Sequence, residues 1–279
     1  MRNTIALFCF LLIATVAMAQ PINVATFNLR YANTTDTGNL WTSRAPMVAN
    51  LIRFHDLDIF GTQEALSNQL NDISTALPQY EHYGPGRDDG LEKGEHSAVF
   101  YKKDKYRLLN KGSFWLSQTP EKPSLGWDAT CCNRICSWVY LQDVATKKKF
   151  YFFNVHYDHQ GKVAREESSK LILARIKTIA GTQPVILTGD FNGDHESVPY
   201  KLIATSGSLR DTYAQVKYPY TNNNPTYQDF GRSLKNDQII DHIFTSSQFK
   251  VSRWGILTDS YRGKFPSDHF PVMATVSLK

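Results

Sequence analysis

Strand-length apolar runs recur along this chain, and six of them meet polar residues at an end. "INVATFNLR" alternates apolar and polar residues up to Asn28, the pattern of a half-buried strand. "DIFGTQE" closes on Gln63-Glu64, and "KKKFYFFNVHYDH" carries His156. "QPVILTGDFN" runs straight into Asp190 and Asn192, Asp241-His242 interrupts "QIIDHIFTS", and Ser267-Asp268-His269 precedes "PVMATVSL". One polar residue at a strand end is ordinary turn chemistry, because Asn and Asp tolerate φ > 0 and bond their own backbone. Six such places predict something more, since neighbouring strands bring their ends together in one cleft.

Helical patterns lie between the strands. "TSRAPMVANLIRFHDL" has an early Pro46 and apolar residues at Met47, Leu51, Ile52 and Phe54, and "LSNQLNDISTAL" is a short amphipathic helix. "VAREESSKLILARIKTIAG" is the longest and stops at Gly181; another helix is expected near Val198–Ser206. Hairpins, one turning at Ala145–Lys148, mix with strand–helix–strand units. That order predicts an α/β or α+β fold with a large two-sided core. No linker, charge block or repeat divides residues 20–279, so one domain is expected.

Residues 1–19 read as a secretory signal peptide: Arg2, an apolar stretch from Ile5 to Val16, then Ala17-Met18-Ala19. The apolar run is too short to span a bilayer, which takes about 20 residues. The mature chain is expected to be exported, to the periplasm or the medium, without a membrane anchor or an obligate protein partner. Losing Arg2 leaves 30 basic against 26 acidic residues, a net charge of +4. That permits a phosphate-bearing partner but falls short of a nucleic-acid-binding stripe. Of the remaining cysteines, Cys131, Cys132 and Cys136, the odd count leaves a thiol over. A strand over "NRICSWVY" would hold Cys132 and Cys136 about 13 Å apart, which excludes a bridge between them unless the chain turns. Structural rather than nucleophilic cysteines are expected.

The residue types at the strand ends fit one task. Glu64, Asp190 and Asp268 are hard oxygen donors suited to Mg²⁺ or Mn²⁺. Asn28 and Asn192 can orient a water or a phosphoryl oxygen without adding charge. Arg30 and Arg134 offer bidentate phosphate contacts, and His156 and His269 can exchange protons near neutral pH. In-line attack of water on phosphorus needs that combination.

In this order, "TFNLR", "GTQE", "NVHYDH", "TGDFN", "IIDHIF" and "PSDHFPV" resemble the endonuclease/exonuclease/phosphatase superfamily, from Asn23 to about Leu278. The group includes pancreatic-type deoxyribonuclease, apurinic endonuclease, inositol-polyphosphate phosphatases and bacterial sphingomyelinases. The resemblance implies a four-layer α/β sandwich, two packed, mostly antiparallel β-sheets with helices outside. It implies Glu64 as principal ligand of Mg²⁺ or Mn²⁺, helped by Asn28 and Asp268. Asp190 and Asn192 would position the attacking water and the phosphate. His269 would contact the scissile phosphate with Asp241 orienting it, and His156 would pair with Glu95 as in the deoxyribonuclease branch. Arg30 and Arg134 would hold phosphate. Arg30 stands where apurinic endonucleases carry an acid, and His156 where they carry a tyrosine, which argues against base excision. The motifs look like those of a secreted bacterial subgroup and leave the substrate open between a nucleic acid and a small phosphodiester or phosphomonoester.

Other readings compete. "HYDH" contains H-x-D-H, part of a zinc-hydrolase pattern, but Asn154 stands at its first histidine and no other histidines have zinc spacing. Asp158 and His159 are then substrate-side or supporting residues. His242 should face away from the cleft if Asp241 faces it. Of Trp41, Tyr157 and Trp127, one is expected at the cleft. "GRDDG" reads as a turn, with a cation site as its alternative. A non-catalytic binding module reusing the fold is the reading from another class.

Overall fold

The computed structural model describes residues 20–279, so the expected leader, residues 1–19, lies outside the described residues. In chain order the elements are β1 (Ile22–Asn28), α1 (Trp41–Phe54), β2 (Ile59–Gln63), α2 (Ser67–Ala76), β3 (Tyr80–Tyr83) and β4 (Val99–Lys102). There follow β5 (Tyr106–Trp115), β6 (Ile135–Asp143), β7 (Lys149–His156), α3 (Lys162–Ala180), β8 (Val185–Asp190) and α4 (Val198–Ala204). Last come β9 (Arg210–Asp211), β10 (Asp241–Thr245), β11 (Phe249–Ile256) and β12 (Val272–Leu278). They form two six-stranded sheets, ordered β11-β12-β1-β2-β4-β3 and β5-β6-β7-β8-β10-β9. All neighbours pair antiparallel except β1 with β2 and β7 with β8, which sit at the middle of each sheet.

The sheets face each other across an apolar layer that includes Val24, Ile59, Phe150, Phe152, Ile186, Ile243 and Val272. Outside the first sheet, α1 and α2 bury Leu51, Ile52, Leu70 and Ile73 against Phe27 and Phe60. Outside the second, α3 and α4 bury Ile172, Ile176 and Ile203 against Phe153, Leu187 and Phe244. The result is the four-layer α/β sandwich expected. The sheets approach closely at Gly61, where an added Cβ would lie 2.1 Å from Asn154 Oδ1. Asn154 fills that space: its amide donates to Thr62 O and Ala98 O and accepts from Gln63 and Thr188, so all of its own polar groups are paired inside the core.

Three strands, β3, β5 and the two-residue β9, escaped the sequence reading. β3, "YEHY", is short and lies at a sheet edge, and β5, "YRLLNKGSFW", also an edge strand, carries seven exposed or half-exposed residues in succession from Arg107. Neither shows clean alternation, because an edge strand has no partner on one side to demand it. Pro46 lies inside α1 instead of in its first turn, because the helix begins at Trp41.

Candidate active site

Strand polarity gathers the polar residues. The parallel pairs β1/β2 and β7/β8 all end at one edge, delivering Asn28, Glu64, His156 and Asp190. β10 runs antiparallel to β8 with Asp241 opposite Asp190, so it begins at that edge. β12 runs antiparallel to β1, so Asp268 and His269, just before it, arrive there too. The backbone turns sharply as it leaves the strands: Arg30, Glu64 and Asn192 hold left-handed φ of 54°, 62° and 46°. Such conformations are disfavoured for residues with a Cβ and cluster at functional sites. Nine of the eleven predicted site residues line one cavity of about 550 Å³; Asn28 and Asp241 are buried behind it.

Asp190 is the hub. Its Oδ2 accepts from Asn28 Nδ2 at 3.0 Å and lies 3.7 Å from His156 Nε2 and 3.8 Å from His269 Nε2. Its Oδ1 accepts from the Asn192 backbone N–H at 2.9 Å. Burial, with Asp241 close by, pushes the Asp190 carboxyl up to about 7. His269 Nδ1 sits 2.9 Å from Asp241 Oδ2, the pairing expected. Burial opposes charge on His269, but Asp241, Asp190 and Asp268 outweigh it and raise its pKa to about 10. His156 goes the other way: burial, then Arg134 and Arg87, hold it well below the usual histidine range.

The predicted Glu95–His156 pair is adjacent but not hydrogen-bonded, with His156 Nδ1 3.8 Å from Glu95 Oε2. Glu95 instead gives both oxygens to Arg87, at 2.6 and 2.9 Å, because a planar guanidinium fork matches a carboxylate better than an imidazole does. Arg87 comes from "GRDDG", which the sequence offered only as a turn or cation loop. With Arg134 it makes one wall of the cavity cationic, and the His159 ring lies beside them. Arg134 is buried, donates to His159 Nδ1 at 2.8 Å and approaches Asp158 Oδ2 at 3.4 Å; its Nη1 has no partner. A buried donor left unpaired in a cleft wants an anionic acceptor. Arg30 also lines the cavity, clamped to Asp36 at 2.9 and 3.1 Å and 3.9 Å from Asp268.

The acids suit a hard cation. Burial, with Glu64 nearby, raises Asp268 to about 6, and the donors here are all oxygens. Asn28 was expected as a ligand, but its Nδ2 bridges Glu64 Oε1 (3.1 Å) and Asp190, and its Oδ1 accepts the Arg30 N–H at 3.0 Å. It steadies the two acids from behind, while Glu64 and Asp268 line the cavity.

Sequence reasoning missed Arg44. Fully buried in α1, it donates to four backbone carbonyls: Asn39, Leu29, Arg30 and Pro266. It thereby ties the turn after Asn28 to the segment before Asp268. A buried arginine inside an otherwise apolar helix face was the available signal. The cleft aromatics are Tyr31 and Tyr227, whereas Trp41 and Tyr157 are buried in the packing of the outer layers. Cys131 and Cys132 are joined as a disulfide between adjacent residues at the cavity rim, and Cys136 is a buried thiol that burial drives well above its ordinary pKa. His242 faces away from the cleft, as expected.

Comparison with known proteins agrees with this fold. Residues 25–269 match the profile of the Endonuclease/Exonuclease/phosphatase family. A Bacteroides thetaiotaomicron structure described as an endonuclease/exonuclease/phosphatase family protein is 44% identical, with a TM-score of 0.90 over 94% of this chain and 99% of that one. The B. thetaiotaomicron mannosyl-6-phosphatase Bt3783 is also 44% identical, with a TM-score of 0.88 over 92% of this chain and 100% of that one. A Bacteroides vulgatus endonuclease/exonuclease/phosphatase structure is 39% identical, with a TM-score of 0.89 over 93% and 100%.

Proposed function

The chain belongs to the Endonuclease/Exonuclease/phosphatase family, whose members hydrolyse phosphoester bonds, and from that premise we propose that it is a divalent-metal-dependent phosphatase of small phosphate esters, with a phosphorylated sugar as the first candidate substrate. The observation that carries this reading is the cavity itself. At about 550 Å³ it falls in the range of small-molecule pockets, and its cationic wall holds a buried arginine nitrogen without a partner. The mannosyl-6-phosphatase at 44% identity supports a phosphorylated sugar.

On this reading Arg134, Arg87 and His159 bind the phosphate oxygens, and Arg30 and Asn192 complete the cradle. Asp190, fixed by Asn28 and the Asn192 N–H, takes the proton of the attacking water. His269, held by Asp241, presents a positive edge to the phosphoryl group. His156, kept neutral, donates its N–H toward the leaving oxygen. Mg²⁺ or Mn²⁺ at Glu64 and Asp268 would supply stabilisation of the charge that develops on phosphorus-bound oxygens. The leader at residues 1–19 supports action outside the cytoplasm, and among the described residues no helix is long and apolar enough to cross a membrane.

The test is a side-by-side assay of an aryl phosphomonoester, a hexose 6-phosphate, an aryl phosphodiester and plasmid DNA, with Mg²⁺, Mn²⁺ or EDTA, at low and moderate salt. Phosphate release from the monoesters that stops with EDTA is expected. DNA cleavage that weakens steeply with salt, as polyanion binding does, would replace this reading with a nuclease.

A further inference from the structure

On the outer face of the second sheet, away from the cleft, two histidines and an aspartate converge from three parts of the chain. Asp241 and His242 are consecutive on β10, so one faces the cleft and the other the opposite side. His242 is buried, and its Nε2 lies 2.9 Å from the carbonyl oxygen of Gly193. A carbonyl only accepts, so Nε2 carries the proton and Nδ1 presents a lone pair. That lone pair faces Asp211 Oδ2 at 3.8 Å, another acceptor. His195 Nε2 stands 3.4 Å from the same oxygen and is buried with no hydrogen-bond partner. The three atoms lie within 4.8 Å of one another.

Two imidazole nitrogens and a carboxylate oxygen converge with no hydrogen bond joining them, an arrangement that a cation would reconcile. We propose that His195, Asp211 and His242 form a second divalent-metal site, of zinc type, separate from the catalytic pocket. Two imidazoles and one carboxylate are a borderline-soft set that favours Zn²⁺ over Mg²⁺. Zinc bonds of about 2.0–2.1 Å place tetrahedral ligands roughly 3.4 Å apart; the two nitrogens stand 3.4 and 3.8 Å from Asp211 Oδ2 and within 4.8 Å of each other, so a modest closure of the imidazoles completes the set. The supporting contacts are those of metal ligands: the Gly193 carbonyl fixes the His242 tautomer, and the Tyr200 hydroxyl donates to Asp211 Oδ2 at 2.8 Å. The His195 ring, stacked on Tyr213 at 4.9 Å, is partly open to solvent and offers an entry path from its exposed edge. No spacing rule could expose the site, because His195, Asp211 and His242 come from the loop after β8, from β9 and from β10. The ion would pin the loop that follows Asn192, three residues before His195, to the sheet. This inference stands apart from the phosphatase reading.

The experiment uses chelator-stripped full-length protein in millimolar Mg²⁺, which occupies the oxygen-rich pocket. Zn²⁺ is titrated by calorimetry, retained metal is counted after gel filtration, and Co²⁺ is added as a spectroscopic probe. Wild type and Glu64→Gln are expected to retain one zinc per chain, and Co²⁺ to give visible absorption of tetrahedral type. His195→Ala, whose ring is partly exposed, should fold like wild type yet bind zinc at least about tenfold more weakly, since losing even a group that orients a ligand costs 10–100-fold. Absence of retained zinc in the wild type overturns the proposal. So does equal retention by His195→Ala, or loss in Glu64→Gln, which would place the ion in the catalytic pocket.

Discussion

The amide of Asn28 donates to Asp190 at 3.0 Å across 162 residues of sequence, joining the central strands of the two sheets at the floor of the cleft. The same nitrogen reaches Glu64 at 3.1 Å, so one side chain sets the separation of two acids that would otherwise repel. Asn28→Ala should lower kcat/KM by about 100-fold or more, the usual cost of removing one preorganised donor. The fold should survive, because the buried β1 core does not depend on the amide. Steady-state kinetics with matched circular dichroism measures both; near-normal turnover would remove Asn28 from the machinery.

Arg44 is a prediction about stability. Its guanidinium satisfies four carbonyls at 2.6 to 3.0 Å, and burial lowers its pKa to about 10 without making it neutral at physiological pH. Arg44→Met leaves those carbonyls without donors, at about 1–3 kcal/mol for each one that water cannot reach. A loss of about 3 kcal/mol or more in urea unfolding is expected, with Arg44→Lys recovering only part of it, because an ammonium cannot reach a fork of four acceptors. Equal stability of Arg44→Met and wild type would contradict the assignment.

Much of this site was legible in sequence because strand ends carry it. A strand's direction fixes where its last side chain goes, so Glu64, His156 and Asp190 could be placed together once neighbouring strands were expected to bring their ends to one cleft. Arg87 was not legible: it lies in a loop whose path depends on its ion pair with Glu95, and composition shows only a turn. Arg44 hid for the opposite reason, reading as a polar residue on a helix when its partners are backbone carbonyls of three segments, one of them 222 residues away. The edge strands β3 and β5 lacked the alternation that two-sided packing imposes.

The pairing of His269 with Asp241 makes a further prediction. Asp241 Oδ2 holds His269 Nδ1 at 2.9 Å, fixing the ring with Nε2 toward Asp190. Asp241→Asn keeps the shape but removes the charge that orients and favours the imidazolium. Turnover should fall by about 10²–10⁴, the range for a positioned acid–base group, while KM changes little. A large rise in KM with kcat preserved would instead make His269 a binding group.

His82 provides a pH test away from the cleft. Burial, then His96 and Lys111, lower its pKa below the ordinary 6.5, and its ring stacks on Phe100. The folded state therefore resists a proton that the unfolded chain accepts. Its contribution is fully present above about 6.5 and is lost as pH falls toward the folded value. Asp190 and Asp268, whose pKa values are raised, act in the opposite sense, so the readout is a difference. Between pH 7.5 and 5.5, in chelator, wild type should lose more stability, or gain less, than His82→Gln. Parallel urea midpoints for the two proteins would count against a half-buried, neutral His82.

The last prediction concerns Arg134, whose Nη1 is buried at the cavity wall without a protein partner while its other nitrogens face His159 and Asp158. Paying the desolvation of a guanidinium nitrogen and leaving it unpaired makes sense only if an anion completes it in the working state. A hydrogen bond to a charged group contributes about 1.5–3 kcal/mol, equivalent to roughly 10–150-fold in binding. Arg134→Gln should therefore raise KM for a phosphomonoester, and the inhibition constant for inorganic phosphate, by about that factor, with a smaller change in kcat. Because Arg134 is also packed, Arg134→Lys supplies the control: it keeps charge but not the fork, and should recover part of the affinity. If both variants bind phosphate as wild type does, the anion sits elsewhere in the cavity, and Arg30 becomes the residue to test.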